Sequence, residues 1–254
     1  DGRDEVSLKT STMGLIVDPS EAGAVTEWSL YGPRINLLDT LGRRPEPYHR
    51  KLEAAALPAA VAAGREPESI HDLVGVKEEH LASHLVYDDH RRSAFLDYGL
   101  EAMPALEEVV RSSWTERSVW SSMPFRWTPP RPARGRAGPL AVTMIRDVPG
   151  GGHIRKTIRA ARDRSTLECL YTLEGVDVPV VALEFNLALR DERYLTHAEQ
   201  HERLAQFTIE EPAIGVSVRL QLDPPATLFH FPIETVSESE EGLERTYQGL
   251  CLVC

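Results

Sequence analysis

The stretch from Val178 to Leu189 reads VPVVALEFNLAL, and its alternation decides the fold. In an extended chain Val181, Leu183, Phe185, Leu187 and Leu189 share one face, while Glu184 and Asn186 lie on the other. The same period of two continues on either side. TLECLYTLEG groups Leu167, Cys169, Tyr171 and Leu173, and HIRKTIRA alternates Ile154, Lys156 and Ile158. LAVTMIRDV stops at Pro149-Gly150-Gly151-Gly152, which precedes a strand rather than a helix and so reads as a hairpin turn, not a phosphate loop. Downstream, GVSVRLQL groups Val216, Val218, Leu220 and Leu222, and ATLFHFPIE groups Thr227, Phe229 and Phe231. Many strands with turns about every ten residues imply a sandwich. Long period-two strands imply a large, twisted, antiparallel one.

The N-terminal part adds VSLKT, GLIVD, a turn at Pro19 to Gly23, and AVTEWSLY. One or two short helices are expected in this third. RRPEPYHRKLEAAALPAAVAAG (43–64) is rich in Ala and Leu, with Gly64 as a stop and Pro58 as a kink. HDLVGVKEEHLASHL (71–85) can form another. Pro124 to Pro139 holds five prolines, two glycines and four arginines, the composition of a solvated surface loop. All-β domains of 254 residues commonly stay undivided, so residues 1–254 are expected to form a single domain.

A formal charge of −11, from 39 acids and 28 bases, argues against nucleic acid and anionic membranes, which both require a positive surface. No apolar run approaches the roughly 20 residues of a membrane-crossing helix. The three cysteines are too few for a disulfide framework, which favours a reducing, cytoplasmic setting. Cys251 and Cys254 have CxxC spacing, but a strand turns them to opposite faces, and no second pair completes a zinc or redox motif. The chain opens on Asp1 rather than Met, as an excised piece would.

Four segments in order carry a specific resemblance: Leu15 to Leu52 (LIVDPSEAGAVTEWSLYGPRINLLDTLGRRPEPYHRKL), His84 to Leu100 (HLVYDDHRRSAFLDYGL), Ala182 to Leu189 (ALEFNLAL), and Phe231 to Gly249 (FPIETVSESEEGLERTYQG). Together they resemble the carboxy-terminal β-sandwich of α-amylases and 4-α-glucanotransferases of glycoside hydrolase family fifty-seven. The weakest part is Glu101 to Arg162. The resemblance implies a galactose-mutarotase-like supersandwich that follows a catalytic barrel in the same polypeptide. It also implies an α-glucan or maltooligosaccharide as the partner. Nothing in this chain resembles the barrel, so the catalytic carboxylates are expected upstream, with no catalytic residue, cofactor or metal here.

Glycosidic cleavage needs two carboxyl groups, about 5–5.5 Å apart for retention and about 6.5–9.5 Å for inversion. Asp88-Asp89-His90 is the densest acid–base triplet. Adjacent aspartates on an extended segment point opposite ways, so they suit a turn, with side chains accepting backbone amides, better than a dyad. Glu184 and Asn186 can offer sugar hydroxyls an acceptor beside an amide, or simply form the polar half of a half-buried strand. Glu234, at the end of an aromatic strand, has Thr235 and Arg245 as candidate donors. His230 with Glu234 would be the acid–base pair of a mutarotase-like epimerase, although neither lies in a recognisable mutarotase motif.

Trp120 and Trp127 flank SSMPFR and are the tryptophans expected to be exposed enough to stack on pyranose rings, whereas Trp28 alternates with apolar neighbours and reads as core. His80 and His84, and His197 and His201, have i, i+4 spacing but lack the glutamate of HExxH or a third ligand, so metal is not expected. The candidate sugar contacts are therefore Asp88, Asp89, Trp120, Trp127, Glu184, Asn186, His230 and Glu234. Three roles remain: accessory sandwich of a glucan-acting enzyme, free-standing epimerase, or purely structural domain.

Overall fold

A computed structural model of the chain describes residues 2–50, 52, 81–128, 138–190, 197–240 and 242–254. In chain order the strands begin with β1 (Val6–Lys9), β2 (Met13–Asp18), β3 (Ala24–Leu30), β4 (Ile35–Asn36), β5 (Ala94–Leu100), β6 (Glu116–Ser118) and β7 (Arg126–Trp127). They continue with β8 (Leu140–Asp147), β9 (His153–Ala160), β10 (Leu167–Glu174), β11 (Val180–Leu187), β12 (Glu199–Glu211), β13 (Val216–Ser239) and β14 (Gly242–Val253). A short α-helix, α1 (Leu106–Val110), follows β5.

The strands form two antiparallel sheets, as their alternation implies. The larger runs β1-β2-β3-β5-β11-β14-β13-β12, with β4 beside β3 and β6 beside β5; the smaller runs β10-β9-β8-β7. Between them lies the main core. Leu15, Val17, Val25, Phe185, Leu187, Leu250 and Leu252 of the large sheet face Val142, Met144, Ile154 and Ile158 of the small one. The mainly β, antiparallel expectation is borne out. Cys251 joins the apolar cluster on the outer face while Cys254 packs against the inter-sheet core, so the CxxC spacing does divide across the sheet.

Gly150, Gly151 and Gly152 form the β8–β9 hairpin turn, all at positive φ. A Cβ on Gly152 would lie 2.4 Å from the Gly175 carbonyl, so no side chain fits there. The acidic segment after Phe231 is not a loop. β13 extends through it and pairs with β14 from Phe229↔Val253 to Ser239↔Gly242.

The helical expectations fall mostly outside the described residues, although His49, Arg50 and Leu52 are helical. Of 71–85, Leu81–His84 form a 3-10 turn. The basic part of the 124–139 loop also lies outside them. No helix among the described residues is long and apolar enough to cross a membrane.

A charged cluster sits inside the inter-sheet core. Lys156, between Ile154 and Ile158 on β9, donates to Asp97 Oδ1 at 3.2 Å and to the carbonyls of Phe95 and Ala22 at 2.6 and 3.0 Å. Arg146 donates to the other oxygen of Asp97 and stands over the Phe125 ring, 4.3 Å from its centroid. Phe95, at φ 59°, is skipped in the β5–β11 ladder, where Glu184 pairs with Leu96 and Phe185 with Ala94. This bulge turns the Phe95 carbonyl towards Lys156 and lets both Ala94 and Phe95 join the inter-sheet core.

The outer face of the large sheet is covered as well. Leu96, Tyr98 and Leu100 of β5, Ala182 of β11, Phe229 and Phe231 of β13, and Val253 of β14 pack there beneath Val109 of α1. The central strands are therefore buried on both sides, and β5 is buried at every position. On this outer face, Glu184 and Asn186 meet the segment that leads into β5.

Candidate functional site

Glu184 and Asn186 lie on the face of β11 that the alternation assigned them, but neither reaches solvent; both are 0 % exposed. The reason is the HLVYDDHRRS segment, which crosses the face and supplies cations to the buried acids. Arg92 is the hub. Its Nη1 donates to Glu184 Oε1 at 3.2 Å and to Asn186 Oδ1 at 2.8 Å. Its Nε and Nη2 donate to Asp88 at 2.9 and 2.7 Å. Arg43 donates to the same aspartate through Nε and Nη2 at 3.0 and 2.7 Å, and through its backbone amide at 2.8 Å. Arg43 Nη1 also donates to the Val110 carbonyl, fastening the end of α1.

The remaining oxygens of Glu184 are filled. Asn186 Nδ2 donates to Oε1 at 2.7 Å, the Tyr98 hydroxyl donates to Oε2 at 2.7 Å, and His90 Nε2 lies 3.1 Å from Oε1. The other ring nitrogen of His90 contacts Asp89 Oδ1 at 2.8 Å, and Asp89 is 91 % exposed at its side chain. The network thus begins in the core and ends at solvent on the Asp89–His90 pair. With His90 protonated, Arg43, Arg92 and His90 match in charge the buried Asp88 and Glu184 together with Asp89 at the exposed rim.

The electrostatics follow from these contacts. Burial alone would raise the Glu184 carboxyl, but the charges of His90 and Arg92 and its hydrogen bonds hold it at about 2. Burial would lower His90, yet Glu184 and Asp89 bring it up to about 9. Asp88 is likewise held well below the ordinary carboxylate range by Arg92 and Arg43, against the opposing effect of its burial. Burial, followed by the charge of Glu184, pushes Tyr98 and Cys251 upward. Glu184 and Asp88 are therefore fixed anions with every oxygen engaged, and neither carries a proton to donate at neutral pH. The arrangement suits a rigid electrostatic strut more than a general acid.

Asp88 and Asp89 point opposite ways, one buried and one exposed, and the backbone amide that Asp88 accepts is that of Arg43, 45 residues away, rather than a local turn amide. Glu234 is drawn to Arg245 at 3.4 Å, one of the two donors expected for it, and lies 4.0 Å from His84. His230 is elsewhere on β13. It pairs with Glu199 at 3.5 Å and stacks with His201 and Phe207. The structure thus unites Asp88, Asp89, Glu184 and Asn186 and gives His230 and Glu234 separate partners.

Trp120 corrects the expectation of an exposed tryptophan pair. It is 1 % exposed and packs against Gly99, where a Cβ would lie 2.7 Å from the indole. It borders a pocket of about 150 Å³ beside the Arg117–Asp177 ion pair but presents no open ring face to it. Trp127 is half-buried against the inter-sheet core, and so is Trp28.

Arg43 and Arg92, which anchor this network, were not singled out from the sequence. Both lie in segments that carry the family resemblance, and an arginine near an Asp pair in a covering segment is the signal that could have raised them.

Comparison with known proteins agrees with this architecture. The family model described as "Alpha-amylase/4-alpha-glucanotransferase, C-terminal" matches residues 1–254. Alpha-amylase 1 of Dictyoglomus thermophilum is 30 % identical over 268 residues, covering 100 % of this chain and 38 % of that protein. The 4-alpha-glucanotransferase of Thermococcus kodakarensis is 26 % identical, covering 98 % of this chain and 36 % of its own length. The crystal structure of 4-alpha-glucanotransferase from Thermococcus litoralis superposes with a TM-score of 0.74 over the whole chain and 37 % of its own. At 22 % identity, that likeness speaks for the fold alone. The chain thus spans between a third and two-fifths of the length of these relatives. Matched from end to end by one family model, it belongs to the α-amylase/4-α-glucanotransferase carboxy-terminal domain family.

Proposed function

We propose that residues 1–254 act as one accessory β-sandwich in an α-1,4-glucan-acting enzyme, an α-amylase or a 4-α-glucanotransferase, and support hydrolysis or transfer carried out by a catalytic barrel of the same polypeptide. The observation that carries this reading is the end-to-end match to the carboxy-terminal family model. The relatives' names supply the reaction class. The site geometry supports a supporting role, because the acids best placed for chemistry, Asp88 and Glu184, are consumed by buried arginines.

In this proposal, sugar contact on the outer face is confined to the rim, where Asp89 and His90 reach solvent and can hydrogen-bond a maltooligosaccharide. The two packed antiparallel sheets support kinship with galactose-mutarotase-like supersandwiches. The three free cysteines fit a cytoplasmic setting. The epimerase reading is disfavoured, because His230 pairs with Glu199 while Glu234 pairs with Arg245.

The test is release of reducing sugar and of transfer products from maltoheptaose, by this chain alone and by the chain joined to the catalytic part. Activity only in the joined form supports the accessory reading. Turnover by the chain alone overturns it.

A further inference from the structure

On the β12–β13 ladder, Glu199 stands directly opposite His230, and His201 follows two residues after Glu199 on the same strand. Residues two apart on a strand share a face, and so do directly opposed residues of an antiparallel pair. Three metal-ligating side chains therefore converge on one side of the sheet. Glu199 Oε2 lies 3.5 Å from His201 Nε2 and 3.5 Å from His230 Nε2. All three ligand atoms lie within 4.8 Å of one another.

These spacings match a coordination shell. Zinc bonds of about 2.0–2.1 Å to imidazole nitrogen and carboxylate oxygen, at tetrahedral angles, separate neighbouring ligand atoms by about 3.4 Å. Two of the three edges are already close to that length, and the third is within 4.8 Å. Phe207 flanks both imidazoles, with its ring centroid 5.6 Å from that of His201 and 5.4 Å from that of His230, so one wall of the cluster is apolar and the rings are held in place. His230 is buried whereas the Glu199 side chain is 55 % exposed, which gives an entry path from solvent.

We propose that Glu199, His201 and His230 form a binding site for a divalent transition-metal ion, Zn2+ by ligand type, clamping β12 to β13. Two neutral imidazoles and one carboxylate select such an ion over Mg2+ or Ca2+, which favour all-oxygen shells. Three protein ligands leave a fourth position for water or another small donor. At helical spacing His201 pairs only with His197, which gives no third ligand. Strand spacing and the cross-strand partner supply the third.

The test is calorimetric titration of the chelator-treated protein with ZnCl2, alongside its melting temperature with and without the ion. One Zn2+ per chain and a rise in Tm are expected, both lost in Glu199→Gln and His201→Gln. These two side chains are partly exposed, so the variants should fold, which circular dichroism without metal checks. Co2+ bound in place of Zn2+ should give the visible absorption of a tetrahedral ion in the parent and not in Glu199→Gln. His153→Gln, altering a histidine paired with Glu174 in the other sheet, should leave the stoichiometry unchanged. Absence of Zn2+ binding, binding that survives both substitutions, or an equal Tm rise with Mg2+ would overturn the proposal.

Discussion

Arg92 Nη1 donates to Glu184 Oε1 at 3.2 Å, and this contact ties the segment entering β5 to the middle of β11. Through its other nitrogens the same guanidinium holds Asp88, which Arg43 also grips. One arginine therefore bridges two buried acids, with Arg43 and His90 supplying the remaining positive charge.

Removing that arginine should be severe. Arg92→Met removes from buried Asp88 its principal cation and from Glu184 one of its two, beside His90, and breaking a buried ion pair from one side costs about 3–5 kcal/mol. Urea denaturation should show a midpoint lowered accordingly. A loss below about 1 kcal/mol would place the network near the value of exposed ion pairs.

Stability should fall at both ends of the pH scale. The Glu184 carboxyl is lowered from its usual 4.5 to about 2, so its contribution is complete above pH 4.5 and is lost as pH falls through about 2. His90 is raised from 6.5 to about 9, so its contribution is complete below pH 6.5 and is lost as pH rises through about 9. Urea midpoints measured against pH should therefore form a plateau between roughly 4.5 and 6.5. His90→Gln should flatten the alkaline limb, and an unchanged alkaline slope in that variant would remove His90 from the explanation.

The charged cluster between the sheets makes an asymmetric prediction. Asp97 faces two cations, Arg146 and Lys156, all three almost wholly buried. Asp97→Asn strands two positive charges, whereas Lys156→Met leaves a one-to-one pair and replaces the ammonium with an apolar group of similar length. Thermal unfolding should rank Asp97→Asn as the more damaging by at least about 2 kcal/mol. Equal effects would mean that Lys156 is not sustained by Asp97.

The alternation of VPVVALEFNLAL and its neighbours made the sheets legible, because strand periodicity is local and burial enforces it. It also assigned Glu184 and Asn186 to the correct face. What covers that face was not legible, since the contacts of Arg43 and Arg92 with Asp88 and Glu184 depend on the path of a covering segment rather than on spacing. Lys156, alternating with Ile154 and Ile158, betrayed a buried cation only once Asp97 could be seen opposite it. Trp120 was misread for a related reason: its polar and basic neighbours suggest exposure, yet Gly99 opens the space that takes in its ring. The Glu199–His201–His230 cluster depends on strand register, which pairs residues 31 apart and which no motif spacing reports.

The most direct test of the proposed supporting role is Glu184→Gln in the chain joined to the proposed catalytic barrel. Tm and kcat on maltoheptaose are measured together, with kcat taken well below the melting transition. The expected result is a clear fall in Tm with kcat within about twofold of the parent, since a strut contributes to folding and not to transition-state binding. An unchanged Tm with kcat reduced about a hundredfold or more would contradict it and would make Glu184 a catalytic carboxylate.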